Sequence, residues 1–216
     1  MKKFTLFALF AIFAFEGYTQ RLQTFRNAYI WAQSNRNNSA KGSAFSTRDG
    51  RTFSMEDVIR RTDPRAIDFM LFHGRHNRQD GFFLFAPNDP TIEEINFDRQ
   101  SGTLPFRHFQ GGGQNPEGPA WLKNWNVRNA TRMQLVTDVD FDNATGEIIA
   151  AMEVKEQYIV GPLKEGDIVL FETAATSSNP SKKGLIRIGR FEPDERPERA
   201  DSPQFSKMNM SVRIIR

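Results

Sequence analysis

The chain contains no cysteine. Disulfides, thiolate metal sites and the lipid-modified cysteine of a lipobox are therefore excluded, and an exported protein of this kind must be stabilised by its core alone. Histidine is scarce, with three residues, His73, His76 and His108. No phosphate-binding G-x-x-x-x-G-K-[ST] spacing is present, since Gln114 follows Gly111–Gly113 where a lysine would be needed. No G-x-S-x-G elbow marks a nucleophilic serine. Charge of one sign is also lacking: the formal net charge is +3, and +2 without Lys2, Lys3 and Glu16, too weak to argue for a nucleic acid partner.

Long hydrophobic runs are confined to the start. MKKFTLFALFAIFAF places two lysines before an apolar stretch broken only by Thr5. It has the n-region and h-region of a secretory signal and is too short to span a bilayer comfortably. Gly17 and Thr19 put small residues three and one positions before Gln20, so residues 1–19 are expected to be a signal peptide, cleaved before Gln20. The protein is then exported, to the periplasm, the cell surface or the medium, with no transmembrane segment in its mature part. Charge is uneven along that part. From Gln20 to Phe82 eleven Lys/Arg stand against six Asp/Glu, and from Asp138 to Glu172 two stand against nine. Two solvated faces of opposite sign account for this.

The stretch Ala66–Pro90 looks central. Ile67–Phe72 and Phe82–Ala86 are short apolar runs rich in Phe, which predicts strands buried on both faces. Between them HGRHNRQDG reads as a polar loop at the sheet rim. Upstream, Asp49-Gly50 lies between Ala44-Phe45-Ser46 and Thr52-Phe53-Ser54, a hairpin signal. Ser54 three residues before Asp57 resembles a capping box opening a short helix, Met55–Arg61, which Asp63-Pro64 ends. Thr91–Asp98 could form one or two helical turns. Glu147–Gln157 holds good helix formers, and Tyr158-Ile159-Val160 suggests a strand. Asp167–Phe171, Leu185–Phe191 and Met208–Ile215 read as three further strands. The expected fold is a single α+β domain over residues 20–216: a mixed, mainly antiparallel sheet with two or three short helices and long loops at 100–119 and 192–203.

Two other segments invite functional readings. Trp121 and Trp125 stand four apart, on one face if the segment is helical, and serve either as core or as a stacking platform for a sugar or peptide. Asp138, Asp140 and Asp142 alternate, so in a strand they would share one face. They also open like an EF-hand loop, but Asn143 replaces the turn glycine and Ile149 the closing glutamate, so no calcium or other metal site is expected. An acidic face that protects a solvated edge strand is the simpler account.

The order of blocks adds a resemblance. AFST-x-DG, a short helix, IDFMLF, FLFAPND, W-x-x-x-W with NATR, LKEGDIVLFET, KKGLIRIGRF and SVRII together resemble uncharacterised exported proteins of Bacteroidetes, over roughly Lys41 to Arg216. Many of those look lipid-anchored, and this chain departs from them in having no cysteine. The resemblance implies export and a mixed fold, and it carries no catalytic residues.

Residues alone favour a secreted, non-enzymatic binding module for an extracellular glycan or protein, without a cofactor. Its ligand-binding candidates are His73, His76, Trp121 and Trp125. The alternative is a secreted hydrolase with a site near the His73–Asp80 loop, drawing on Asp68 and Asp80. H-x-x-H can hold zinc, but a third ligand, His108 or Asp89, would have to come from the fold.

Overall fold

The structure, a computed structural model, describes residues 20–32, 42–54, 57, 63–89, 125–193, 195, 201 and 206–216. The two apolar runs of the central stretch become β4 (Phe69–His76) and β5 (Gln79–Phe85), an antiparallel hairpin in full register from Met70↔Phe85 to His76↔Gln79. Their apolar halves are buried on both faces: Phe69, Met70, Leu71, Phe72, Phe83, Leu84 and Phe85 are all essentially inaccessible. The HGRHNRQDG segment is not a loop. It continues both strands, and the chain reverses over Asn77-Arg78, both with left-handed backbone (φ 48° and 66°). Two consecutive positive φ values match the right-handed twist of the flanking strands, which is why so short a turn suffices.

Around this hairpin stands a five-stranded sheet B, in the order β3-β2-β4-β5-β7, with β2 (Gly42–Ser46), β3 (Arg51–Ser54) and β7 (Ile159–Val160). The Asp49-Gly50 signal closes the β2–β3 hairpin. Gly50 has φ +71°, its N–H reaches the Ser46 carbonyl at 3.0 Å, and a Cβ there would run into the Phe25 ring. Sheet A has the order β1-β10-β9-β8-β6, built from β1 (Leu22–Trp31), β6 (Arg132–Val136), β8 (Ile168–Glu172), β9 (Lys183–Glu192) and β10 (Lys207–Ile215). Among the described residues every strand pairing is antiparallel.

The two sheets face one another across one core. Ile30, Phe45, Phe69, Leu71, Leu84, Met133, Val160, Val169, Phe171, Ile186, Ile188, Met208, Met210, Val212 and Ile214 form a single buried cluster drawn from both. Phe69 joins the layers directly: it stacks on Phe45 (centroids 4.9 Å) within sheet B and meets the edge of Phe171 (6.2 Å) from sheet A. The architecture is a β-sandwich.

That overturns the expected α+β fold. Among the described residues there is one α-helix, α1 (Gly146–Ala151), and one 3-10 turn, Pro64–Ala66. The capping box exists: the Ser54 hydroxyl accepts from Asp57 N–H (3.1 Å) and donates to the Asp57 carboxylate (2.9 Å). The helix expected after it, the turns expected at Thr91–Asp98 and the 100–119 loop lie outside the described residues, as does most of 192–203. In Glu147–Gln157 the helix stops after six residues because other partners take the backbone. Lys183 Nζ binds the Ala150 and Met152 carbonyls (3.0 and 2.7 Å). The Gln134 side chain then grips Glu153 O and Lys155 N, and Met133 N–H takes Gln157 O, which draws 153–157 out beside β6. Helix propensity is a weak term that such tertiary contacts override.

Candidate functional site

Sheet A carries two β-bulges side by side. Phe25 pairs with Val212 and Ala28 with Met210, so Arg26 and Asn27 of β1 lie opposite the single residue Ser211 of β10. Met208 pairs with Phe191 and Met210 with Ile188, so Gly189 and Arg190 of β9 lie opposite the single Asn209. An extra residue reverses which side chains point inward beyond it. In β1, Phe25, Ala28 and Ile30 reach the core, and Tyr29 is turned outward. In β9, Ile186, Ile188 and Phe191 reach it, and Phe191 stacks on Phe82 of sheet B at 4.3 Å. Without the bulges, strict alternation would bury Tyr29, Arg190 and Glu192.

The consequence is a groove of about 470 Å³ on the outer face of sheet A. Asn27 and Tyr29 line it from β1, Asn209 and Ser211 from β10, Arg187, Ile188, Gly189, Arg190 and Glu192 from β9, and Glu165-Gly166 from the loop before β8. Asn27 sits at φ 55°, a conformation that Asn tolerates better than most residues. Gly189 keeps the floor low, because a Cβ there would lie 2.7 Å from Asn209 Oδ1. Tyr29 is 36 % exposed. Its ring has the Lys207 ammonium 4.9 Å over one face, and its hydroxyl points at Glu192 (3.5 Å). Lys207 also pairs with Glu192 at 3.0 Å, and this hydrogen bond, opposed by modest burial, raises its pKa. Arg190 faces Glu165 across the rim at 3.8 Å. The lining thus has two arginines, two glutamates, two asparagines, a serine and one presented aromatic ring.

None of these groove residues stands among the candidates read from sequence. A signal for them existed: apolar spacings of three in strands that should alternate, at Phe25…Ala28 and Ile188…Phe191, the second enclosing Gly189. In a period-two element that spacing means a bulge.

The two candidate histidines do not share a face. His73 and His76 are three apart on one strand, so they point to opposite faces of sheet B. His73 meets the edge of Phe82 (4.7 Å), and burial lowers its pKa against the opposing pull of Asp80. His76 meets Phe83 (5.6 Å) on the other side. The pair therefore cannot close on one zinc ion. Trp125 is 9 % exposed in an irregular segment, and Trp121 lies outside the described residues, as does His108. Among the described residues no group of three or more His, Asp or Glu is placed to hold a metal.

Asp68 is enclosed in a hydrogen-bond network. It is wholly buried and accepts from Thr47 N–H (2.8 Å), Thr47 Oγ1 (2.7 Å) and Ser177 Oγ (2.5 Å). Burial outweighs these bonds and pushes its pKa up to about 6. Asn179 extends the link to Thr47 Oγ1 (3.2 Å), while the buried Asn129 amide donates to the Arg65 and Ile67 carbonyls (both 2.8 Å) and accepts from Thr176. The network ties the loop after β8 to the β2–β3 turn and the start of β4.

The acidic run is a turn and not a strand. Asp140 accepts from Asp142 N–H (2.9 Å), Asn143 N–H (3.2 Å) and Asn143 Nδ2 (2.7 Å), and the Asn143 bonds above all lower its pKa. Phe141 is thereby directed onto sheet A, beneath the guanidinium groups of Arg187 (4.6 Å) and Arg213 (5.8 Å).

A two-sheet antiparallel sandwich with a bulge-lined groove is thus the class this chain defines. A DUF4466 family protein from Parabacteroides merdae ATCC 43184, of the Bacteroidetes, shares the fold, with a TM-score of 0.53 at 13 % identity. The match covers 90 % of this chain and 54 % of that one, so the chain spans about half the length of that protein. No family model and no curated protein matches the sequence.

Proposed function

We propose that the protein is an exported binding module that holds an extracellular glycan or protein without turning it over. The observation that carries this reading is the groove between the two bulges. Bulges bend a strand and leave residues unpaired, and they recur where a side chain has to be re-aimed. Here they place Tyr29, Arg190, Glu192 and Asn209 along one depression whose size falls in the usual range for ligand sites, about 300–1,000 Å³. Export is supported by the lysine-plus-apolar N-terminus. Among the described residues no helix is long and apolar enough to cross a membrane. A hydrolase near His73–Asp80 has less support, because the two histidines point to opposite faces and Asp68 is enclosed by Thr47 and Ser177.

The test combines capture with turnover. The protein without residues 1–19 is applied to immobilised extracellular polysaccharides and matrix proteins, and the same materials are assayed for cleavage products. Retention without products, lost in Tyr29→Ala, is the expected outcome. Cleavage that His73→Ala abolishes would replace the binding reading with an enzymatic one.

A further inference from the structure

From the charge balance of the groove we infer the class of its ligand: an uncharged, polyhydroxylated glycan chain, stacked on Tyr29 and hydrogen-bonded by Asn27, Asn209, Arg190 and Glu192. The inference rests on the binding-module reading above and narrows it. Arg187 and Arg190 supply two positive charges to the lining and Glu165 and Glu192 two negative ones. Beside it Lys207 pairs with Glu192 and Asp142 with Arg187, so the signs stay balanced. A polyanion entering this space meets the glutamates, and a polycation meets the arginines. A sugar hydroxyl is both donor and acceptor, and so fits a lining that mixes guanidinium donors, carboxylate acceptors and amides that do both.

The aromatic geometry agrees. Tyr29 has the Lys207 ammonium over one face and its hydroxyl 3.5 Å from Glu192, contacts that favour one ring orientation before a ligand arrives. A ring so oriented, with only two side-chain torsions, stacks on the C–H face of a pyranose at little entropic cost. A protein partner fits less well. Protein interfaces have a central patch depleted of charge and enriched in aromatic anchors. This groove has one such ring among four charged side chains.

Affinity electrophoresis of the protein without residues 1–19 tests the assignment, with starch, yeast mannan, barley β-glucan and xyloglucan as neutral probes. Heparan sulfate, polygalacturonate and chitosan are the charged ones. At least one neutral polysaccharide should retard the protein, equally at about 0.05 and 0.5 M salt, since no net charge pairing is being screened. Tyr29→Ala should weaken that retardation about thirtyfold, the scale of an aromatic hot spot. Asn209→Ala should weaken it less, and both variants should remain fully folded at the assay temperature by circular dichroism. Retardation by charged probes alone, or a neutral-probe interaction indifferent to both substitutions, overturns the inference. Capture of a matrix protein through Tyr29, with no neutral polysaccharide bound, overturns it too but leaves the binding-module reading standing. Capture of nothing by the parent protein overturns both.

Discussion

The outer face of sheet A has two halves that share β1, β9 and β10, one roofed by its own chain and one uncovered by any of the described residues. At the roofed end Leu22, Val136, Ile168, Leu170, Leu185 and Ile215 pack beneath Phe141, Ala144, Ile149 and Val154. At the other end Asn27, Tyr29, Gly189, Asn209 and Glu192 line an open groove. The seam between them is cationic. Arg187 pairs with Asp142 and lies over Phe141, and Arg213 donates to the Phe141 and Asp142 carbonyls. The difference lies in the outward-pointing residues. Where the alternation puts Leu and Ile outward, apolar area must be covered, at roughly 25 cal/mol per Å². Where the bulges have switched the phase, polar groups face out and need no roof.

Removing the roof's anchor should have the largest effect. Phe141→Ala is expected to cost about 3–5 kcal/mol of unfolding free energy in urea, as for a buried ring left as a cavity. Tyr29→Ala, in the groove, removes a largely solvent-facing ring with a cation–π contact and strand preference, and should cost about 1–2 kcal/mol. A loss of several kcal/mol from Tyr29→Ala would mean that the ring is structural and that the two halves do not differ.

Acid sharpens the contrast between the exposed roof turn and the enclosed Asp68. Asp68 has a folded pKa of about 6 against an unfolded value of 3.8. The folded state binds the extra proton, so this contribution to stability is fully present below about pH 4. It declines as the pH rises to about 6 and is flat above, a change of roughly 3 kcal/mol at most. Asp140 has the opposite sign. Its lowered pKa gives stability that is present above 3.8 and lost as the pH falls through the folded value. Between pH 4 and 6 the lowered pKa of His73 contributes in the opposite direction. The Asp68 contribution is therefore read as the difference between parent and Asp68→Asn urea melts, and Asp68→Asn should remove the falling component. A slope unchanged by that substitution would assign the proton to another group.

The smallest effect is expected at the seam. The Arg187–Asp142 pair is largely open to solvent, with side chains 36 % and 56 % exposed. Arg187→Ala should cost about 1 kcal/mol or less, and less again in high salt. A larger loss, insensitive to salt, would mean that Arg187 acts chiefly through its packing on Phe141.

Sequence reasoning located β4, β5, β8, β9, β10 and the Asp49-Gly50 turn because each is announced locally, by a continuous apolar run or by a glycine that only a turn requires. It assigned His73–Asp80 to a loop because polar residues there stand in for the alternation that pairing with Phe82 and Gly81 makes unnecessary. It treated Asp138–Asp142 as a strand face because the pattern does not reveal that Asp140 spends its carboxylate on its own backbone. The helix content was overestimated for a related reason. The competitors of Glu147–Gln157 for hydrogen bonds, Gln134 and Lys183, lie far away in sequence. The groove is the clearest case. Its residues were visible as a period-two pattern that skips a beat twice, yet only strand pairing puts both skips next to each other.

The turn that carries Phe141 has one more consequence, for anyone producing the protein. Asn143-Ala144-Thr145 and Asn129-Ala130-Thr131 are both acceptor sequences for N-linked oligosaccharides. In the folded protein the Asn129 amide is sealed inside by its bonds to Arg65 and Ile67, whereas Asn143 is exposed. In a yeast or insect-cell secretory route the sugar is added to the chain before it folds, so both sites are open to it. A sugar tree on Asn129 would prevent its burial, whereas the fold accommodates one on Asn143. Its neighbour Asp142 is bonded to Arg187, which lines the groove. Material from such a host would carry a tethered carbohydrate beside the depression, at an effective concentration no added ligand matches. Bacterial expression leaves that space clear.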